Sequence, residues 1–411
     1  MCAIIENLAK IHSLSQTVRS GTKIVKIIAD RNIPFVKECF SSIGEVEVVS
    51  GRQITPKIIA NADCLLVRSV TKVDSDLLIG SKVRFVGTAT IGYDHIDTEY
   101  LLRNGIGFSS APGSNANSAA EYVIAALLEI GRRNNITLEN KSIGIIGVGN
   151  VGSKVEKKAK ALGMKVFLND PPLQRKTKDA KYLPLEKLFN CDFITLHTPL
   201  TFEGTDKTFH LANDNFFNSL KTDCIFINTS RGAVVDSIAL KKAITEGKLA
   251  AAVLDVWENE PNIDTELLEM VDIGTPHIAG YSLDGKVAGM ITIHKAACEF
   301  FSLKAKFNIK SFLPEAATRQ LKINASDSRE QDVLRQAVEK IYRIDNDDLK
   351  LRQILDMPVE KRGVFFDTLR KDYPVRREFQ NTKIEFTTED TGCLSKKLKG
   401  IGFKIANLQS T

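Results

Sequence analysis

From Lys23 onward, short apolar runs alternate with amphipathic stretches. The runs Ile24–Ala29, Val46–Val49, Cys64–Val67, Phe85–Thr88 and Gly107–Ser109 have the length and polar boundaries of buried strands. Between them, Pro34–Ile43 and Asp74–Ile79 have helical spacing. This rhythm predicts a parallel sheet covered on both faces by helices. A break follows at Ala111-Pro112-Gly113-Ser114-Asn115. Next, Ser118-Ala119-Ala120-Glu121 matches a capping box and leads into the apolar run Tyr122–Ile130, predicting a long helix capped by Ser118.

A second series of strand-like runs then begins: Ser142–Ile146, Lys165–Asn169, Phe193–Leu196, Cys224–Asn228 and Ala251–Leu254, ending near Ile273–His277. Two α/β units in series predict two lobes with a cleft between them. After Tyr281 a helical stretch to about Ser302 is expected to return the chain to the first lobe. Beyond Pro314 the pattern is more charged and less regular, with a helix over Asp327–Ile341 and a strand over Lys383–Thr387. The fold class read from this is α/β: two doubly wound, Rossmann-like lobes and a smaller α+β C-terminal domain. The expected limits are 25–111 with 285–311 for the first lobe, 112–284 for the second and 312–411 for the third domain.

Composition changes this picture little. At 411 residues, 43% hydrophobic and 26% charged, the chain is in the range of globular proteins and long enough for two or three domains. It has no run of the roughly 18–20 apolar residues that a membrane span needs. The net charge of +6 is diluted among 50 acids, and no basic stripe or motif for nucleic acid accompanies it. Tracts such as Lys154–Lys160 read as solvated helix faces. Seven cysteines (Cys2, Cys39, Cys64, Cys191, Cys224, Cys298 and Cys393) are odd in number and widely spaced, with no Cys-x-x-Cys pair. They point to a reducing, cytoplasmic setting, with neither a disulfide framework nor a structural metal site. Residues 1–24 lack the apolar core and cleavage site of a secretory signal and are expected to be a disordered extension, with Val25 a candidate start.

Gly147-Val148-Gly149-Asn150-Val151-Gly152 is the strongest local motif. Taken alone such a turn is common, but here a buried strand precedes it, an amphipathic helix (Ser153–Leu162) follows, and a second strand ends at Asp170. Gly147 permits the tight turn, Gly149 lets backbone N–H groups approach a pyrophosphate, and Gly152 lets helix and strand pack. The helix N-terminus supplies partial positive charge. Asp170 can accept from ribose hydroxyls and repels a 2′-phosphate, so the expected cofactor is NAD. Three further charged residues fall after later strands: Arg231, Glu260 and His277. A guanidinium can hold a substrate carboxylate, a histidine can take a hydroxyl proton, and a carboxylate can hold the imidazole. Singly, each residue type is more often structural: a lone histidine bonding within the fold, an arginine on the surface, or Glu260 and Glu258 as two solvated acids. Their joint placement after a dinucleotide turn favours oxidation of a 2-hydroxy acid without a metal.

In this order the motifs resemble the D-isomer-specific 2-hydroxyacid dehydrogenase family over roughly Val25 to Ser302. The segments that carry the likeness are the glycine turn, His197-Thr198-Pro199-Leu200, Asn228-Thr229-Ser230-Arg231-Gly232, Leu254-Asp255-Val256-Trp257 and Thr275-Pro276-His277-Ile278-Ala279-Gly280. Val67–Lys72, Phe85–Thr90, Asn169–Pro172, His277–Lys286 and Tyr373–Glu378 resemble the branch that oxidises 4-phospho-D-erythronate in pyridoxal phosphate synthesis. The resemblance implies that Arg231, Glu260 and His277 are catalytic. It places Gly147, Gly149, Asn150, Val151, Gly152, Asp170, Thr198, Thr229, Ser230, Arg231, Asp255 and Gly280 against NAD, and Ser69, Thr90 and Tyr281 against substrate. It also implies a homodimer formed through the C-terminal domain.

Asp30-Arg31-Asn32, Ser114 and Tyr93 depart from the family pattern, Tyr93 at the entrance to the cleft. For a substrate phosphate, Ser69 with Arg68 or Lys72 is expected. Arg376 and Arg377 read as a solvated charge run rather than as groups reaching across a dimer. The alternatives are a sibling enzyme for 3-phosphoglycerate or hydroxypyruvate, and an NADH-sensing corepressor.

Overall fold

The structure is a computed structural model that describes residues 24–304, 307, 313–325, 329–388 and 392–406. The expectations for residues 1–23 lie outside the described residues. Strands β1 (Val25–Asp30), β2 (Gly44–Val49), β3 (Cys64–Val67), β4 (Phe85–Thr88) and β5 (Gly107–Ser109) form a parallel sheet in the order β2-β1-β3-β4-β5. Strands β6 (Ser142–Ile146), β7 (Lys165–Asn169), β8 (Phe193–Leu196), β9 (Cys224–Asn228), β10 (Leu249–Leu254) and β11 (Ile273–Gly274) form a second, in the order β11-β10-β9-β8-β6-β7. All of its pairings are parallel as well. Every residue of β3, β4, β8 and β9 is buried, as expected for sheets covered on both faces. A small parallel sheet of β12 (Gln320–Ile323), β13 (Lys383–Phe386) and β14 (Lys404–Ile405) belongs to the C-terminal segment.

The helix that follows Tyr281 spans Leu283–Phe300 and returns the chain to the first sheet. There Phe300 packs on Phe85 of β4, with ring centroids 5.3 Å apart. Met290 and Ile293 join the core between the two. Among the described residues, the C-terminal segment packs into the cores of the glycine-turn unit, Leu351, Ile354 and Phe366 in one cluster and others in a second. Val333, Leu334, Phe379 and Leu398 are continuous with Tyr122, Ile143 and Val155 of the glycine-turn unit.

Three local expectations change. The helix read at Pro34–Ile43 is confined to Val36–Phe40, because Phe35 takes a left-handed backbone (φ 56°) at its start. The long helix starts at Ala116, two residues before the expected cap. Ser118 is instead an interior position whose hydroxyl bonds Ser282 Oγ (2.6 Å) and Glu378 Oε1 (2.7 Å). Glu121 turns inward to accept from Phe379 N–H (3.0 Å), so tertiary partners, not the helix end, fix both side chains. Arg376 and Arg377 are not a solvated run. Arg376 is only 6% exposed and donates to the Ala279 carbonyl (2.9 Å), while Arg377 pairs with Asp284 (2.9 Å).

Among the described residues the thiols are free, and all but Cys393 are buried. None of the described helices is long and apolar enough to cross a membrane.

Candidate active site

In an open parallel sheet, ligands bind beyond the strand C-termini where the strand order reverses. In the larger sheet that point lies between β6 and β8. The loop after β6 is the glycine turn, and the loop after β8 begins at His197.

Each glycine of the turn answers a different steric demand. Gly147 has φ 86°, and a Cβ there would lie 2.7 Å from the His197 carbonyl oxygen. A Cβ on Gly152 would overlap the Gly147 carbonyl oxygen, whereas one on Gly149 would meet nothing within 4 Å. The middle glycine therefore borders open space at the N-terminus of the Gly152–Ala161 helix, where Val151 is the cap residue and Asn150 is exposed. Thr198 Oγ1, in the facing loop, is buried without a hydrogen-bond partner. An open backbone cradle and a waiting hydroxyl fit a dinucleotide. Asp170, at the end of β7, accepts from Val148 N–H (2.8 Å) and Leu173 N–H (2.9 Å), which fixes its carboxylate beside the turn.

The loop after β9 is held by Asn228, whose Oδ1 accepts from Ser230 N–H (3.0 Å) and the Ser230 hydroxyl (2.7 Å). Thr229 Oγ1 lies 3.2 Å from His197 Nδ1. Burial pushes that imidazole down to about 3, so His197 is neutral and serves to orient the loop. Arg231 donates to the Ser230 carbonyl (2.7 Å) and reaches over to the first lobe, 3.4 Å from Asp94. A Cβ on Gly92 would strike its guanidinium. Thr90 shapes that loop by donating to the Gly92 carbonyl (2.9 Å).

His277 and Glu260 meet at 2.7 Å, Nδ1 to Oε2. The other Glu260 oxygen accepts from Trp257 N–H (2.9 Å), and the Trp257 indole donates to the Thr275 carbonyl (2.9 Å). Burial pushes the Glu260 carboxyl up. The charge and hydrogen bond of His277, the Arg370 guanidinium and Trp257 N–H outweigh it, so the carboxyl lies below its usual range. His277 itself has a left-handed backbone (φ 56°) and donates its N–H to the Asp255 carbonyl (2.7 Å). The Asp255 carboxylate is 1% exposed and takes the Thr275 hydroxyl and the N–H groups of Ile278 and Ala279. Asp255 thus builds the loop that presents His277. Gly280, which follows, leaves no room for a Cβ against Asn115.

The residues picked out in the sequence separate here. Neither glutamate is a solvated acid: Glu258 pairs with His210 at 2.7 Å, apart from the Glu260–His277 pair. Lys72 pairs with Asp74 (2.8 Å), and its side chain is 81% exposed. Ser69 is exposed at the end of β3, and Arg68 Nη2 lies 3.4 Å from the Tyr281 hydroxyl. Two neighbours had no sequence signal. Asp94 meets Arg231 only through the approach of the lobes, and Arg370 comes from the C-terminal segment, more than a hundred residues after Glu260. Among the described residues no group of three potential ligands could hold a metal.

The model of the D-isomer specific 2-hydroxyacid dehydrogenase NAD binding domain matches residues 125–279, and a domain of unknown function (DUF3410) matches residues 312–402. The chain is 43% identical over 358 residues to erythronate-4-phosphate dehydrogenase of Escherichia coli O127:H6, covering 87% of this chain and 93% of that protein. It is 41% identical over 380 residues to the enzyme of the same name from Yersinia enterocolitica, covering 92% and 99%. Among solved structures, D-lactate dehydrogenase from Aquifex aeolicus complexed with NAD and lactic acid matches with a TM-score of 0.56 at 26% identity, covering 67% of this chain and 96% of that one. NAD-bound 3-phosphoglycerate dehydrogenase of Entamoeba histolytica matches with a TM-score of 0.58 at 26% identity, covering 70% and 99%.

Proposed function

The chain belongs to the D-isomer-specific 2-hydroxyacid dehydrogenases, in the erythronate-4-phosphate dehydrogenase branch, and from that premise we propose how its residues perform the reaction. The enzyme oxidises 4-phospho-D-erythronate to 3-hydroxy-2-oxo-4-phosphooxybutanoate, a step of pyridoxal phosphate synthesis. Bound NAD supplies the hydride acceptor. Arg231 holds the substrate carboxylate and so fixes the hydroxyl-bearing carbon. His277 accepts the hydroxyl proton on Nε2 as the carbon–hydrogen bond is lost, and returns it in the reductive direction. Glu260 keeps Nδ1 protonated and stabilises the imidazolium.

Gly147, Gly149, Asn150, Val151 and Gly152 would hold the NAD pyrophosphate and Asp170 its ribose, with Thr198, Thr229, Ser230 and Gly280 as further contacts. Asp255 acts through the His277 loop, and Ser69, Thr90 and Tyr281 contact substrate. The observation that carries this reading is the 2.7 Å His277–Glu260 pair at the C-terminal edge of the sheet that bears the glycine turn.

The test is NADH formation from 4-phospho-D-erythronate, beside 3-phosphoglycerate, with a carbonyl trap present. The expected result is preference for the four-carbon substrate and a loss of about 10²–10⁴-fold in His277→Ala. Preference for 3-phosphoglycerate would move the enzyme to the sibling activity. NADH binding without turnover of either substrate would favour the sensor.

We propose domain limits of residues 25–111 with 285–311 for the substrate lobe, 112–284 for the NAD-binding lobe and 312–411 for the C-terminal domain. We place the protein in the cytoplasm, in keeping with its buried free thiols. We also read it as a homodimer through the C-terminal segment, where Leu349, Val359, Val364 and Val375 are each at least 63% exposed. Sedimentation equilibrium that returns the mass of one chain would reject the dimer.

A further inference from the structure

Three cationic side chains converge on the ring of Tyr281. Lys286 Nζ lies 4.5 Å from its centroid, the Arg68 guanidinium carbon 5.7 Å and that of Arg370 6.0 Å. They come from three separate parts of the chain: the end of β3, the Leu283–Phe300 helix and the Val359–Lys371 helix of the C-terminal segment.

The acids near the group are shared with other partners. Asp367 approaches Arg370 only at 3.9 Å and also pairs with Arg52 of the first lobe. Glu260 is bonded to His277. Arg370 Nε is buried without a hydrogen-bond partner. Burial, then the charges of Arg68 and Arg376, bring the Lys286 amine down to about 8. Three like charges around one ring, with an unused buried donor among them, form an arrangement that an anion completes.

The position is next to the catalytic pair. Tyr281 follows His277 by four residues, and the charge of Arg370 acts on Glu260. The Val359–Lys371 helix packs closely on the loop after Glu260, where a Cβ on Gly363 would come within 2.5 Å of Asn262 Oδ1. The Arg52–Asp367 pair ties the same helix to the first lobe. The helix therefore borders the cleft from outside both sheets.

We propose that Arg370, with Arg68, Lys286 and the Tyr281 hydroxyl, forms the subsite for the substrate's terminal phosphate, and that the C-terminal segment thereby determines substrate specificity. This rests on the reading of the substrate as a phosphorylated hydroxy acid. A phosphomonoester carries nearly two charges and three strong acceptor oxygens at neutral pH, which suits three cationic donors. Arg231 remains available for the carboxylate at the other end. Arg370 lies inside the segment that matches a domain of unknown function, and the subsite gives that segment a role.

The test uses the full-length protein and Arg370→Met. The KM for 4-phospho-D-erythronate is expected to rise about ten- to hundredfold, the loss of one charge-assisted contact, and by more than any fall in kcat. Inorganic phosphate, titrated calorimetrically with NAD present, should weaken in parallel while NADH affinity holds, and Arg370→Lys should recover part of the loss. Unchanged KM and phosphate affinity, or equal weakening of phosphate and NADH, would overturn the proposal. If the wild-type protein turned over no 4-phospho-D-erythronate, the substrate reading would fail, yet the phosphate titration would still decide the subsite. Should Arg370→Met not fold, Lys286→Met carries the same expectations.

Discussion

A single added methyl separates binding from folding within the glycine turn. At Gly149 it would enter open space, because nothing lies within 4 Å of the new atom. Gly149→Ala should therefore keep the wild-type melting temperature, a change within about 0.5 kcal/mol. It should weaken NADH at least about tenfold, since the space it fills is where the pyrophosphate must approach the backbone. At Gly152 the same methyl would overlap the Gly147 carbonyl oxygen, in the packed junction of helix and strand. Gly152→Ala should destabilise the fold by about 1–3 kcal/mol, as overpacking does. Thermal melts and NADH fluorescence titrations of the two variants check both halves. Matching profiles for the two would show that the turn does not divide its glycines in this way.

Between elements, one contact turns on a buried carboxyl. The Ala116–Arg133 helix meets the C-terminal segment through Glu121, which accepts from Phe379 N–H and lies 3.9 Å from Lys158 Nζ. Burial pushes the Glu121 carboxyl up to about 8, against the opposing pull of Lys158. In the unfolded chain the same group titrates near 4.5. Between those two values the folded state holds a proton that the unfolded state has released, so stability falls as pH rises through the window. Glu121→Gln should flatten that fall between about pH 5 and 8, measured as melting temperature against pH. A wild-type profile already flat there would count against the assignment. The sequence could not disclose this junction, because Ser118 and Glu121 also spell a helix cap and only distant partners decide which role they take. The central strands β3, β4, β8 and β9 were legible for the opposite reason: burial on two faces leaves continuous apolar runs that need no partner to be recognised. Arg231, Glu260 and His277 were legible through their places after strands. Arg370 was not, since one arginine in Leu369-Arg370-Lys371-Asp372 looks like any solvated helix end until the helix is docked.

At the scale of the molecule, the arrangement of cores sets what can unfold alone. The first sheet has its own two apolar clusters, one around Phe40 and Phe85 and one around Leu65 and Val86. The C-terminal segment instead completes a cluster that begins at Tyr122 and runs through Ile143 and Val155 to Phe379 and Leu398. Arg376 reinforces that union with its guanidinium 4.2 Å from the Tyr342 ring centroid and its bond to the Ala279 carbonyl. Removal of residues 312–411 would uncover apolar side chains that are now fully buried, such as Tyr122, so the shortened chain is expected to aggregate rather than bind NADH. Calorimetry of the full chain should accordingly show the NAD-binding and C-terminal parts melting together. NADH at a hundred times its dissociation constant should stabilise that joint transition by about 2.7 kcal/mol. A C-terminal transition that stayed in place while the NAD-binding one moved would mean that the shared core does not couple them. A soluble, NADH-binding chain ending at residue 311 would mean the same.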